Sequence, residues 1–403
     1  MSSQLPLAGL KVLDVASWIA APAAAVVLGD YGADVVKVEP PGEGDPHRRN
    51  GETLSSVPKS PVNYMWHLDA RNKRSVAVDL KRQEGRAVLD RLIAGADVLI
   101  TNFPLPVRER LKLRYEDVRE TNPRLIYASF TGYGEAGPDR DQPGFDSTAY
   151  FGRSGISDVG RYEGQPPGVS LPAQGDRASA MGLTAGIMMA LWNRERTGDG
   201  CQVSSSLYAN GLWANGIQAQ AALVDAWLGP RPPREAPRSA LANFYRTRDD
   251  RWLLLAIPQE DRAWPELCRL MERPELEHDA RFRDTPSRRQ HAFQLTRILD
   301  EMFARHDWAF WRERLKAANL THAPIAGIAD LPDDAQAVAA GYIVETDIEE
   351  MPRTIASPFQ LSGIAPRRAG RGPMVGAHTD DILGEAGFTA DDIARLRADG
   401  ELG

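Results

Sequence analysis

The chain has 403 residues, of which 42% are hydrophobic and 26% are charged. A single hydrophobic core usually stops growing before this length, so we expect two domains of ordinary globular composition. The net charge of -7, with no basic run interleaved with aromatic residues, argues against nucleic acid as a partner.

Cysteine usage and the first residues of the chain bear on the compartment. Cys201 and Cys268 are too few for a disulfide framework, and no cysteine and histidine cluster has zinc-site spacing. The start MSSQLPLAG lacks a basic segment followed by an apolar one, and no apolar stretch approaches the roughly 18 residues of a membrane span. We therefore expect a cytoplasmic protein with no metal and no membrane contact.

The first part of the chain alternates short aliphatic strands with helical patterns. A first helix is predicted up to about Tyr31 and a second over EGRAVLDRLIAG. Strands are predicted at residues 10–17, 33–39, 75–80, 97–103 and 123–132. Near-continuous aliphatic runs are typical of strands covered on both faces, so this pattern predicts a parallel sheet in an α/β fold.

A dinucleotide-binding fold is the first alternative for such a start. Residues 16–28, however, contain no glycine, although the turn that meets a pyrophosphate in this part of the fold would need glycines. Without them the backbone cannot approach a pyrophosphate closely. We therefore expect a Rossmann-like sheet without nicotinamide or flavin chemistry.

The second half of the chain indicates a smaller α+β domain. A helix predicted at 177–196 leads to a strand at 201–207 and a long helical pattern ending near Leu228. The proline-rich stretch GPRPPREAPRS is typical of a semi-rigid linker, and NFYRTRDDRWLLLAIP predicts a hairpin. The predicted organisation has four parts. The first part of the large domain is at 1–228, a linker at 229–239, the small domain at 240–331, and a return segment with two C-terminal helices at 332–403.

Asp176 is the candidate nucleophile. It is predicted just before a helix rich in small residues (RASAMGLTAGIMMAL), which we expect to be central and buried. Free backbone N–H groups and the helix dipole favour negative charge at that end, so the carboxylate is expected to stay ionised and able to attack a carbonyl carbon. From the residues alone, a structural role remains open, in which Asp176 only caps the helix.

Several segments, in this order and spacing, resemble the family III CoA-transferases, the group that includes formyl-CoA and carnitine CoA-transferases. The segments are LAGLKVLDVASWIAAPAAAVVLGDYGADVVKVEPPGEGD, NKRSVAVDLK, ADVLITNF, NPRLIYASFTGYGEAGP, GDRASAMGLTAGIMMAL and GAHTDDILGEAGF. They cover essentially the whole chain. The resemblance implies a nucleophilic Asp176, acyl-CoA and carboxylic acid substrates with no permanently bound cofactor, and an interlocked homodimer threaded by the linkers.

The resemblance also implies where coenzyme A binds. Lys81 and Arg110 would meet its phosphates, which require fixed cations. The remaining positions implied are an adenine contact (Val78, Leu111), the pantetheine channel (Asn102, Phe103) and the loop near the thioester (Ser17, Ile19, Ala20). Where some relatives have arginine, this chain has two prolines at 40 and 41, so an adenine contact is either lost or supplied by Arg48 or Arg49.

Two other functions and the substrate stay open at this point. An α-methylacyl-CoA racemase needs two opposed bases, and Gly144-Phe145-Asp146 has phenylalanine where the racemases have histidine. Asp146 is then expected to support the site by hydrogen bonding, with Phe145 near the acyl group. A non-catalytic CoA-binding protein is the other alternative. The run GFDSTAYFGRSG resembles members acting on aryl or branched 2-hydroxy and 2-enoyl acids, and succinate is a further candidate substrate.

Overall fold

The computed structural model describes residues 5–168, 170, 172–226 and 229–403. The chain divides into two compact units. The first comprises 1–158, 169–226 and 338–403, and the second comprises 159–168 and 227–337. The predicted domain boundary at Leu228 lies outside the described residues, and those at 239 and 331 remain predictions.

A six-stranded sheet is the centre of the first unit. Its strands pair in the order β3-β2-β1-β4-β5-β6, and every neighbouring pair is parallel. The predicted α/β fold with a Rossmann-like parallel sheet is therefore confirmed. The strands are β1 Lys11–Asp14, β2 Asp34–Glu39, β3 Lys73–Ala77, β4 Val98–Thr101, β5 Ile126–Thr131, β6 Cys201–Ser206, β7 Phe244–Arg246, β8 Trp252–Leu255, β9 His322–Pro324, β10 Ile343–Glu345 and β11 Arg353–Ile355.

Helices connect and cover these strands. They are α1 Ala20–Asp30, α2 Asn50–Thr53, α3 Tyr64–Ala70, α4 Gln83–Ala94, α5 Leu105–Arg110, α6 Tyr115–Val118, α7 Ile156–Gly160, α8 Gln174–Thr197, α9 Leu207–Ala214, α10 Gly216–Leu223, α11 Glu260–Leu270, α12 Thr285–Gln290, α13 Ala292–Phe303, α14 Trp308–Ala317, α15 Ala335–Ala339, α16 Thr379–Glu385 and α17 Ala390–Ala398. A π-helix spans Asp146–Arg153, and 3₁₀ turns span Pro46–Arg49, Pro274–Glu277 and Ile328–Asp333. None of these described helices is long and apolar enough to cross a bilayer.

The sheet is buried on both faces because its side chains alternate. In β4, Val98 and Ile100 join the core beneath α1 and α8, whereas Leu99 joins the core beneath α4, α16 and α17. Helix α1 is fully buried and consists mostly of alanine and valine. Its small side chains let α8 pack closely against it and bring the start of α8 near the loops that follow the strands.

Three predictions about helices need correction. Helix α8 begins at Gln174, so Asp176 lies inside its first turn rather than before it. The helix is not buried all round, because Met189 and Trp192 are 72% and 70% exposed. The long helical pattern after residue 207 divides into α9 and α10 at Asn215. Apart from the helices, the return segment contains the antiparallel pair β10 and β11, which the sequence pattern did not predict.

The second unit has its own core. The predicted hairpin is present as β7 paired with β8, and β9 adds a third antiparallel strand that the sequence pattern did not predict. Trp264, Leu267, Phe303 and Trp311 are buried against this sheet, as expected for apolar residues at helical spacing.

Buried charges cross-link the first three strands of the large sheet. Lys37 Nζ lies 2.7 Å from Asp45 Oδ2 and 3.7 Å from Asp14 Oδ1, and Lys73 Nζ lies 2.8 Å from Asp14 Oδ2. All four side chains are nearly inaccessible to solvent. Burial opposes the ionised form of Asp45, but Lys37 and the backbone N–H groups of His47 and Trp18 outweigh it and hold the pKa of Asp45 below its usual value.

We expect Lys37→Met to lower the free energy of unfolding by about 3–5 kcal/mol, because it leaves buried carboxylates uncompensated. Urea unfolding followed by circular dichroism measures this change. Lys11→Met is the control, because Lys11 is exposed on β1 of the same sheet, and its effect should stay within about 0.5 kcal/mol. Equal stability of Lys37→Met and the wild type would contradict the role of the buried pair.

Candidate active site

The loops that follow β1 and β4 meet at the carboxyl edge of the sheet, where the strand order reverses. Ligands of open α/β sheets bind at this position. Ser17 N donates to Asn102 Oδ1 at 2.8 Å, and Asn102 Nδ2 donates back to Ser17 O at 2.7 Å. The Asn102 side chain therefore fastens the two loops together.

Trp18 stands out in the loop after β1 because its φ of 66° lies in the left-handed region, which a bulky residue rarely adopts. Its backbone N–H donates to Asp45 Oδ1 at 3.1 Å, and Lys37 Nζ donates to the carbonyl of Ala16. The loop is thus held by the same buried ion pair that links the strands. Such strain is typical of functional sites when the surroundings enforce it.

The residues expected to bind coenzyme A differ in what they offer to a ligand. Lys81 and Arg110 are exposed, and neither forms an ion pair within the described part of the chain. Phe103 and Leu111 are partly buried. The side chains with almost no accessible surface are Ile19, Ala20 and Val78. Val78 belongs to the core below α4, which leaves no surface for the expected adenine contact.

All three nitrogens of the Arg48 guanidinium already donate hydrogen bonds to protein groups, which disfavours an additional contact with adenine. Its Nε and Nη2 donate to Glu39 at 2.8 and 2.6 Å, Nη1 donates to Pro373 O at 3.0 Å, and the group stacks 3.7 Å from the Trp66 ring centroid. Arg49 is paired with the exposed Glu43.

Asp176 is half-buried in the first turn of α8, at the carboxyl edge of the sheet. The helix starts abruptly after Ala173, whose φ of 72° turns the chain sharply. The adjacent Gly175 packs against Tyr150, since a Cβ built at Gly175 would lie 2.7 Å from the Tyr150 ring. Tyr150 is therefore part of the core rather than of an acyl pocket, and it sets the position of the chain just before Asp176.

Burial and neighbouring carboxylates decide the charge of Asp176. Burial raises the pKa of Asp176, and the negative charges of Asp146 and Asp69 raise it further, while Arg177 and His47 lower it, giving about 7. The first turn of α8 therefore does not by itself hold this carboxylate fully ionised at neutral pH. Near neutral pH the group exchanges readily between its protonated and nucleophilic forms.

Asp146 acts on this carboxyl group, and Phe145 precedes Asp146 in the chain. Asp146 is buried, and burial raises its pKa despite the nearby backbone N–H groups of Ser147, Gly175 and Ala173. Its Oδ2 has no hydrogen-bond partner among the described residues. Phe145 is 62% exposed and contacts Trp18 edge-on, with ring centroids 6.5 Å apart. The rings of Trp18 and Phe145 together form an accessible apolar surface.

Three residues near Asp176 that can carry charge were not predicted from the sequence. Arg177 Nη2 lies 2.6 Å from Asp69 Oδ1, and His47 Nε2 lies 2.9 Å from Asp69 Oδ2. Arg177 had a local signal, because it directly follows Asp176 and places a cation in the first turn, where the helix dipole disfavours it. Asp69 and His47 had none, since Asp69 is 108 residues from Arg177 along the chain.

The arrangement combines a half-buried carboxylate, a strained loop and an apolar surface, which is suited to attack on an activated acyl group. Within the described ranges, no group of three or more histidine, cysteine, aspartate or glutamate side chains is placed to hold a metal ion.

Comparison with known proteins agrees with this chemistry. A sequence profile of CoA-transferase family III matches residues 7–379. The chain is 32% identical to (R)-2-hydroxy-4-methylpentanoate CoA-transferase of Clostridioides difficile, with 97% of this chain and 98% of the relative aligned. It is 30% identical to cinnamoyl-CoA:phenyllactate CoA-transferase of Clostridium sporogenes, with 98% and 96% aligned.

A solved structure shows the same fold. A CAIB/BAIF family protein from Brucella suis superposes with a TM-score of 0.84 at 29% identity, covering 95% of this chain and all of the other. The fold and these relatives place the chain among the enzymes that act on CoA thioesters. It belongs to CoA-transferase family III.

We expect the Asp176 carboxyl group to titrate near pH 7 and Asp146→Asn to shift this titration to lower pH, because removing a neighbouring negative charge favours ionisation. The side-chain ¹³C signals of labelled aspartate measure this, with Asp176→Asn identifying the resonance. Asp199→Asn, an exposed site just beyond the other end of α8, should leave the titration unchanged. Titration of Asp176 near pH 4 would contradict the electrostatic argument.

Proposed function

We propose that this enzyme moves coenzyme A from an acyl-CoA to a carboxylic acid through covalent intermediates on Asp176. The observation that carries the proposal is the half-buried Asp176, with a pKa of about 7, in the first turn of α8 at the carboxyl edge of the sheet. The carboxylate is ionised often enough to attack, and its burial limits competition from water.

The first half of the reaction loads the enzyme. A carboxylate oxygen of Asp176 attacks the thioester carbon of the donor, the C–S bond breaks, and the CoA thiolate leaves with the bonding electrons to give a mixed anhydride. The thiolate then attacks the aspartyl carbonyl carbon. The donor acid departs as a carboxylate, and an aspartyl-CoA thioester remains.

The second half reverses these steps on a different acid. The acceptor carboxylate attacks the aspartyl carbonyl carbon, and the C–S bond breaks. This step releases the CoA thiolate and leaves a second anhydride between Asp176 and the acceptor. The thiolate attacks the acyl carbon of the acceptor, and Asp176 leaves as a carboxylate. Each step exchanges groups of similar energy, so the protein contributes positioning, water exclusion and stabilisation of the oxyanions.

Coenzyme A is proposed to lie along the carboxyl edge of β3, β1 and β4. The exposed Lys81 and Arg110 would meet its phosphates, since neither cation is neutralised by a described acidic side chain. Arg86 of α4 donates to Leu111 O at 2.7 Å, which brings the start of α4 beside the end of α5. Phe103 and the loop from Ser17 to Ala20 would line the path of the pantetheine towards Asp176.

The acceptor is proposed to be a branched or aryl 2-hydroxy acid. The exposed Trp18 and Phe145 rings offer apolar surface beside Asp146 and Asp176. The two relatives reported above are named for 2-hydroxy-4-methylpentanoate and for phenyllactate. An acceptor screen by mass spectrometry, with several acyl-CoA donors, tests this class of acids against succinate and simple fatty acids. Activity only with succinate or with simple fatty acids would contradict the proposed acceptor class.

The enzyme is proposed to act as an interlocked homodimer in the cytoplasm. In the first unit, large apolar side chains of α8, α9, α10 and the turn after α10 are exposed in the single chain: Met189, Trp192, Trp213, Ile217, Leu223 and Val224. Soluble monomers rarely leave so much large apolar surface open on neighbouring helices. A second copy of the chain would cover it and would explain why the small-residue helix α8 is solvent-exposed on one side here.

We expect Asp176→Ala to reduce CoA exchange by more than about 10³-fold while the protein stays folded, because the covalent route is lost. Exchange assays measure the rate, and hydroxylamine with a donor acyl-CoA should convert wild-type Asp176 to a hydroxamate that mass spectrometry locates. Asp199→Ala, exposed beyond the other end of α8, should retain full activity. Retained exchange in Asp176→Ala would remove the nucleophile assignment.

We expect Trp213→Glu to weaken self-association, because Trp213 is 87% exposed within the proposed contact surface. Sedimentation velocity over a range of concentrations measures it. Phe293→Glu is the control, because Phe293 is a 48% exposed aromatic residue of the second unit. A wild-type protein that sediments as a monomer at micromolar concentration would exclude the dimer.

A further inference from the structure

Arg177 is the half-exposed cation closest in sequence to the nucleophile, and one nitrogen of its guanidinium has a fixed partner. Nη2 donates to the buried Asp69, whereas the Arg177 side chain is 39% exposed. No described residue accepts a hydrogen bond from Nε or Nη1. Arginine presents N–H groups in a planar fork that matches a carboxylate, so the unused donors are available to an anionic ligand.

The partners of Arg177 are arranged to orient it. Asn50 Nδ2 donates to His47 Nδ1 at 2.7 Å, so His47 Nε2 is the ring nitrogen that donates to Asp69, 2.9 Å away. Asp69 thus accepts from His47 on one oxygen and from Arg177 on the other. Burial opposes ionisation of Asp69, but Arg177 and His47 outweigh it and lower the pKa of Asp69, which keeps the carboxylate charged and the arginine fixed.

The change in charge at the site during the proposed reaction indicates a role for Arg177. In the resting enzyme, the groups acting on Asp176 include the negative Asp146 and Asp69 and the positive Arg177. When Asp176 becomes a thioester it loses its negative charge, and the second substrate must then bring a carboxylate into a site that still contains two other carboxyl groups. A fixed cation beside Asp176 offsets that repulsion.

We propose that Arg177 binds the carboxylate of the acceptor acid, and that Asp69 and His47 are positioning residues that hold Arg177 beside the nucleophile. This inference rests on the proposed double-displacement reaction. It assigns different recognition to the two substrates, because the reacting end of the donor is an uncharged thioester, whereas the reacting end of the acceptor is an anion.

Steady-state kinetics of Arg177→Gln test the assignment, using a donor with a hydrocarbon acyl chain and the acceptor that gives the highest wild-type rate in the screen. The apparent KM for the acceptor should rise about tenfold, as expected for losing one partly solvated charge pair, while the KM for the donor changes less than about twofold. Arg177→Lys keeps the charge without the planar fork, so its effect on the acceptor KM should be smaller. Asp69→Asn should shift the acceptor KM in the same direction.

The loading half-reaction separates this proposal from the reaction on which it rests. Loss of the cation at 177 raises the pKa of Asp176, so the loading step is compared at a pH high enough to ionise Asp176 in both proteins. Hydroxylamine is uncharged, so inactivation by donor plus hydroxylamine at that pH should proceed at the wild-type rate in Arg177→Gln. If the wild type is not inactivated, the covalent mechanism fails, whatever Arg177 does. If inactivation is normal but the acceptor KM is unchanged, or if donor and acceptor KM rise together, the assignment of Arg177 is wrong.

Arg196→Gln is the matched control, because Arg196 is an exposed arginine in the last turn of the same helix, about 28 Å further along its axis. Both KM values should stay at wild-type levels in this variant. An equal rise of the acceptor KM in Arg196→Gln would show a general effect of net charge and would overturn a local role for Arg177.

Discussion

The ion pair between Lys37 and Asp45 is the constraint on which the site depends. Both charges are removed from water, so each is stable only with the other in place. Lys37 also holds the carbonyl of Ala16, and Asp45 accepts from the backbone N–H groups of Trp18 and His47. One contact in the interior of the sheet therefore fixes both the strained loop after β1 and the histidine that leads to Asp69.

The environment of Asp176 serves two conflicting requirements. In the proposed reaction Asp176 forms an anhydride that must be shielded from water, and shielding disfavours the charged form of the carboxylate. The pKa of about 7 reflects this conflict, because burial and two neighbouring carboxylates outweigh the cation at Arg177. At neutral pH Asp176 is ionised for part of the time. Its conversion to an uncharged anhydride or thioester loses little electrostatic stabilisation. A carboxylate stabilised by several cations would be a poorer nucleophile.

Sequence patterns predicted what is local. Near-continuous aliphatic strands indicated the parallel sheet, and the run of small residues after Asp176 indicated a closely packed helix. What depends on partners distant in sequence was not predictable, as the pairing of Asp69 with Arg177 shows. The π-helix at Asp146–Arg153 and the exposed side of α8 were missed for a related reason, because small residues indicate that something packs closely but not whether the partner belongs to the same chain.

Gly175 and Asp176 illustrate two reasons for a residue to be indispensable. Any side chain at 175 would collide with the ring of Tyr150, whereas the carboxylate at 176 is the proposed reagent. A library sampling every amino acid at both positions would find the two sites equally intolerant. Mutational sensitivity therefore marks the glycine and the aspartate alike, and only their surroundings distinguish the residue that makes room from the residue that reacts.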